Sequence, residues 1–159
     1  MKRALLAKTG RGNSPASIFR KEKKIMSREL IYTANTAGAA VPIGNTVPLG
    51  SIIRRYGNCI SANGSVINIR EPGYYDVDIS ATFTAAAAGN VTLTLLQDGV
   101  PVPGATATST IATATTQVEN LAIAATVRVM CCGNSNLSVL VGGTAAPTIS
   151  NMAVQVTKI

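Results

Sequence analysis

Asp76 and Asp78 stand two residues apart in the stretch REPGYYDVDISATF, residues 70–83, a spacing that puts both carboxylates on one face of a β-strand. Paired carboxylates are the raw material of acid–base hydrolysis or of a calcium site. No third carboxylate clusters near them in the sequence, so a solvated or interface strand face is the preferred reading. Arg54 and Arg55, beside Tyr56, offer a grip for an anion, but charge that keeps an edge strand from aggregating is the simpler role. Cys131 and Cys132 are adjacent and Cys59 is distant. A vicinal disulfide or a metal site is conceivable there, yet three thiols in a chain with no histidine make a poor zinc site, and buried or half-buried free thiols are expected. The missing histidine also removes the commonest general base. The many serines and threonines therefore lack an activating partner, and past residue 28 the only lysine is Lys158. Neither an enzyme, nor a cofactor, nor a resident metal is expected.

The elements that carry these residues follow from composition and period. A chain of 159 residues fits one domain able to bury a core without disulfide staples. Hydrophobic residues make up 47% but aromatics only 4%, so that core must consist of small and β-branched side chains, which suits sheets. Charge is concentrated at the start: residues 1–28 hold nine basic residues against Glu22, or +8, which leaves −1 for the rest of a chain whose total is +7. The basic character belongs to a leader and not to the domain at 29–159, so nucleic acid is not an expected partner except through that leader. The run RKEKK just ahead of Met26 has two readings: a purine-rich ribosome-binding site read through as protein, with Met26 the true start, or a disordered basic arm. The apolar run ALLA is too short for a signal peptide's core, and no segment reaches the roughly 18 apolar residues of a membrane helix. Synthesis and assembly in a cytoplasm, with no membrane partner, are expected. Sequons at Asn63, Asn90 and Asn136 carry little meaning without a secretory route.

From residue 29 onward the chain reads as strands and turns. ELIYTAN (29–35) is a first strand. A crossing (36–50) follows in which Pro42 and Pro48 exclude a central strand or helix. SIIRRYG (51–57) and SVINIR (65–70) are strands parted by turn residues around Asn63 and Gly64. Pro72-Gly73 then reverses the chain, and the next strand puts Tyr75, Val77, Ile79, Ala81 and Phe83 on one face and Tyr74, Asp76 and Asp78 on the other. VTLTLLQ (91–97) turns Val91, Leu93 and Leu95 inward and meets a hairpin signal at Asp98-Gly99 before VPVPG. In GATATSTIATATT (104–116) the alanines change parity between Ala107 and Ala112, which predicts a bulge or break. QVENLAIAATVRVM (117–130) sets Leu121, Ile123, Ala125, Val127 and Val129 on one face. LSVLVGG (137–143) and ISNMAVQVTKI (149–159), with Met152, Val154 and Val156 alternating, complete eight to ten strands with no helix. The predicted fold class is all-β, an antiparallel β-sandwich of jelly-roll topology.

The order INIREPGYYDVDISATF, NVTLTLLQDGVPVPG and NMAVQVTKI resembles the tumour necrosis factor and complement globular-head jelly roll. It is most similar to the bacterial and phage branch found at the tips of exosporium collagen-like proteins and in phage head fibres and decorations. The resemblance implies a homotrimer whose inner sheets meet on a threefold axis, with Tyr74, Tyr75, Phe83, Leu121, Ile123, Met152 and Val154 as core or trimer-interface residues. No Gly-X-Y repeat precedes the domain, which turns the expectation from a spore filament towards a phage virion. The expected function is a trimeric capsid decoration or head-fibre subunit, assembled in the host cytoplasm and bound to a major capsid protein or another virion protein on the capsid surface. The alternatives are an adhesin or glycan-binding tip that contacts a host-surface glycan, and a spore-surface structural domain.

Overall fold

The computed structural model describes residues 28–130 and 133–159; Met26, the rest of the basic leader up to residue 27, Cys131 and Cys132 lie outside the described residues. Eleven strands follow in order: β1 (Leu30–Asn35), β2 (Ala39–Ala40), β3 (Ser51–Tyr56), β4 (Ile60–Asn63), β5 (Val66–Ile69), β6 (Gly73–Ala85), β7 (Gly89–Gln97), β8 (Val100–Ile111), β9 (Glu119–Val129), β10 (Ser135–Gly143) and β11 (Pro147–Lys158). They form two antiparallel sheets. Sheet A runs β3-β1-β11-β6-β9 with β2 beside β11, and sheet B runs β4-β5-β10-β7-β8. The predicted fold class is the observed one: an antiparallel jelly-roll sandwich.

β6 shows why the layers pair. Its inward positions Tyr75, Val77, Ile79, Ala81, Phe83 and Ala85 are all buried, and they face Leu93, Leu95, Leu137, Val139 and their neighbours of sheet B in one continuous core. Val, Ile, Leu and Ala supply nearly all of that core, and Tyr75 and Phe83, both fully buried, are its largest side chains. The crossing at 36–50 also feeds it. Val41, Val47 and Leu49 are buried, and the amides of Val41, Val47 and Leu49 donate to the carbonyls of Pro147, Val139 and Gly64. The segment is irregular because prolines interrupt it, yet its backbone is bonded.

Two details depart from the sequence reading. The residues before Asn63 form a further short strand, β4, whose hairpin to β5 turns at Gly64-Ser65. VPVPG and the Ala/Thr run are one strand, β8, which holds Pro101 and Pro103 because it is the free edge of sheet B. Of the bulge or break expected between Ala107 and Ala112, the structure has the break: β8 ends at Ile111, and the irregularity of the β7–β8 pair lies between Thr94 and Leu96. The hairpin at Asp98-Gly99 forms, with φ of 53° and 81°, the mirror-image turn that matches strand twist. Asp98 is pinned further by hydrogen bonds that its carboxylate accepts from Ser135 Oγ (3.0 Å) and the Asn136 amide (2.8 Å).

Two inward positions of β1 are polar: Asn35, whose Nδ2 donates to the Pro48 carbonyl at 3.0 Å, and Thr33. Thr33 is fully buried and its Oγ1 finds no hydrogen-bond partner among the described residues. A buried unpaired hydroxyl carries a desolvation penalty that an apolar group of the same shape avoids. Thr33→Val is expected to stabilise the fold by about 1 kcal/mol, read as a raised midpoint in urea with an unchanged slope; a lowered midpoint would mean that the hydroxyl is satisfied.

Candidate interaction face

The sandwich leaves the outer face of sheet A uncovered, and the register places the polar candidates of β6 on it. One cross-strand row reads Arg54, Tyr32, Gln155, Asp78, Ala124 from β3 to β9. The next row reads Ser51, Ala34, Ala153, Ser80, Ala122. Side chains directly opposite share a face, so the centre of the sheet presents Ala34, Ala122, Ala124, Ala153 and Ser80, framed by Tyr32, Gln155 and Asp78. Ser80, Ala122, Ala124 and Ala153 line a shallow depression together with Tyr32, Gln155 and Asp78. The small residues let a second surface approach the backbone closely.

Asp76 and Asp78 both lie exposed on this face, about 7 Å apart along the strand. The Asp76 carboxylate accepts a hydrogen bond from Thr126 Oγ1 at 2.7 Å. No other thiol or carboxylate joins the two aspartates in a metal-ligating cluster among the described residues. Tyr74 is on the same face and half exposed, with the Arg128 guanidinium 5.8 Å from its ring centre, a cation–π distance. Tyr75, Phe83, Leu121, Ile123, Met152 and Val154 face the other way, into the core.

The two arginines of β3 are separated. Arg55 lies opposite Ile31, and its Nη2 donates to the Asn58 carbonyl at 3.3 Å. Arg54 lies opposite Tyr32 on the outer face, where an irregularity in the β1–β3 pairing inserts Ile53. They do not form one anion grip. Every residue of β3 is exposed, Ile52, Ile53 and Tyr56 included, so this edge strand is covered by neither sheet. A long exposed apolar edge is a surface that soluble proteins cover or defend.

A second cluster escaped the sequence reading because its members come from distant segments. Ligand atoms of Glu29, Cys59 and Glu71 lie within 4.8 Å of one another. The site is organised as a structural clasp: Glu29 Oε2 accepts the Cys59 amide at 3.0 Å, the Lys158 ammonium sits 2.8 Å from Glu71 Oε1, and Tyr75 OH donates to the Glu71 carbonyl at 2.7 Å. Burial, then the charges of Glu29 and Glu71, push the Cys59 thiol pKa up, which keeps it protonated and a poor nucleophile. The same surroundings push Tyr75 up to about 12, burial being the main cause and Glu71 the next. A raised folded-state pKa contributes stability that is present below the ordinary value near 10 and is lost as pH rises towards 12. Phenolate absorbance should therefore show one tyrosine that ionises late or only on unfolding, and Tyr75→Phe should remove that late step; its persistence in the variant would refute the assignment.

A sandwich of two five-stranded paths with this connectivity defines a jelly roll of the tumour necrosis factor and complement C1q type, and solved structures bear that out. Murine APRIL superposes with a TM-score of 0.61 at 10% identity, covering 83% of this chain and 99% of that one. The globular domain of zebrafish complement 1qA gives 0.56 at 12%, covering 82% and 96%. Eiger TNF from S. frugiperda gives 0.58 at 8%, covering 83% and 91%. At these identities the likeness is one of fold. No family model matches the chain, and no curated protein matches it by sequence.

Proposed function

We propose that the chain is a structural virion protein of a bacteriophage, a homotrimeric capsid decoration or head-fibre subunit that acts by shape and adhesion and not by catalysis. The observation that carries the trimer is the uncovered outer face of sheet A, paved with alanine and serine at its centre, in a fold of the tumour necrosis factor and C1q type. A permanent interface of this kind buries about 2,000 Å² or more. The phage assignment is supported by the order of the PGYYDVDISATF, QDGVPVPG and NMAVQVTKI motifs. In this reading the trimer binds a major capsid protein at the capsid surface after assembly in the host cytoplasm.

A subunit added to a finished lattice is dispensable for building it. Deleting the gene is expected to leave DNA-filled heads of normal size with lower tolerance to heat or low salt, or with slower adsorption to cells. Purified protein added back should bind the deficient heads in a saturable number consistent with icosahedral symmetry. Loss of head assembly would make the chain a shell or scaffold component. Particles that never contain it would remove the virion reading in favour of an adhesin or spore-surface domain.

A further inference from the structure

Among the described residues, four charged side chains stand on the outer face of sheet A: Arg54, Asp76, Asp78 and Arg128. Two are engaged within the protomer, Asp76 by the Thr126 hydroxyl and Arg128 by the Tyr74 ring. Arg54 and Asp78 have neither a hydrogen bond nor an ion pair among the described residues. They carry opposite charge and lie on the same cross-strand row, separated by Tyr32 and Gln155. Three interstrand spacings amount to about 14 Å, too far for one protomer to join them. The row thus presents a cation at the exposed β3 edge and an anion near the middle of the small-residue face.

We infer that this face docks a second copy of the chain head to tail, the β3 edge of one protomer lying on the β6–β9 face of the next so that Arg54 meets the neighbour's Asp78. The inference rests on the trimer proposed above and names the pair that sets its register. Around a closed ring each protomer gives Arg54 to one neighbour and Asp78 to the other, so the contact repeats without leaving an unmatched charge. The same docking covers Ile53 and Tyr56, which β3 leaves in solvent, and seats them against Ala122 and Ala124. Complementary charge fixes register and raises the cost of wrong pairings; the apolar and small residues around it supply the buried area.

The test uses the full chain and its charge reversals, followed by light scattering over a dilution series with circular dichroism as the fold control. Arg54→Asp and Asp78→Arg should each leave the β-sheet spectrum unchanged and raise the concentration of half-assembly by roughly a hundredfold, because each sets like charges against one another at every contact of the ring. The double variant Arg54→Asp/Asp78→Arg restores opposite charges and should assemble within about threefold of the wild type. Single variants that assemble like the wild type would overturn the pair while leaving the trimer intact. Single variants that dissociate and are not rescued by the double reversal would also overturn it, since the two charges would then not face each other. A wild-type monomer would overturn the trimer itself, and the pair with it.

Discussion

Phe83→Ala is expected to cost about 3–5 kcal/mol of stability, the range for emptying a buried aromatic site, and to lower the melting temperature sharply. Phe83 is fully buried and is the only phenylalanine among the described residues. It stands near the end of β6, in register with Ile149 of β11 on one side and Glu119 of β9 on the other. Neighbours held in two flanking strands cannot collapse far into the space it leaves, so both the lost transfer energy and the cavity count. Asp76→Asn, seven residues earlier on the opposite face, removes a charge from an exposed position and should change stability by no more than about 0.5 kcal/mol. Equal, small effects of the two variants would mean that the faces of β6 are assigned the wrong way round.

The second large effect is expected at a backbone position. Gly143 ends β10 with φ of +101°, and a Cβ added there would lie 2.1 Å from the Asn90 carbonyl oxygen. That oxygen accepts the amides of both Thr144 (2.8 Å) and Ala145 (3.1 Å), so it cannot retreat without breaking two hydrogen bonds at the β10–β11 turn. Gly143→Ala should cost about 3 kcal/mol or more, by strain and by loss of these bonds. Gly64→Ala is the control. Its φ is also positive, at +61°, but an added Cβ would meet nothing within 4 Å, and only the left-handed conformational cost of about 1–2 kcal/mol applies. Denaturant midpoints of the two variants separate the clash from the dihedral; equal losses would show that the carbonyl gives way freely.

The parts of this fold that were legible in the sequence are those with local causes. The period of two in YYDVDISATF, the Asp98-Gly99 turn, and the alternation of Met152, Val154 and Val156 each depend on residues within a single strand or hairpin, and all three appear as read. What was missed depends on pairing across the chain. β4 has only four residues and is defined by its partner β5, and β8 accommodates two prolines because no strand flanks it on its free side. The clasp of Glu29, Cys59 and Glu71 joins segments 30 and 12 residues apart, which no spacing rule connects. The same holds for the outer face of sheet A. Strand polarity told Asp76 and Asp78 from the core residues, but only the register through β11 and β1 aligns Asp78 with Arg54. That alignment turns isolated surface charges into a complementary pair.

The trimer is the claim on which the functional reading rests, and the molar mass of the purified full chain in solution tests it most directly. Light scattering behind size exclusion, repeated as the protein is diluted through the micromolar range, should give three times the chain mass at every step. A particle of one chain mass at micromolar concentration would contradict the account.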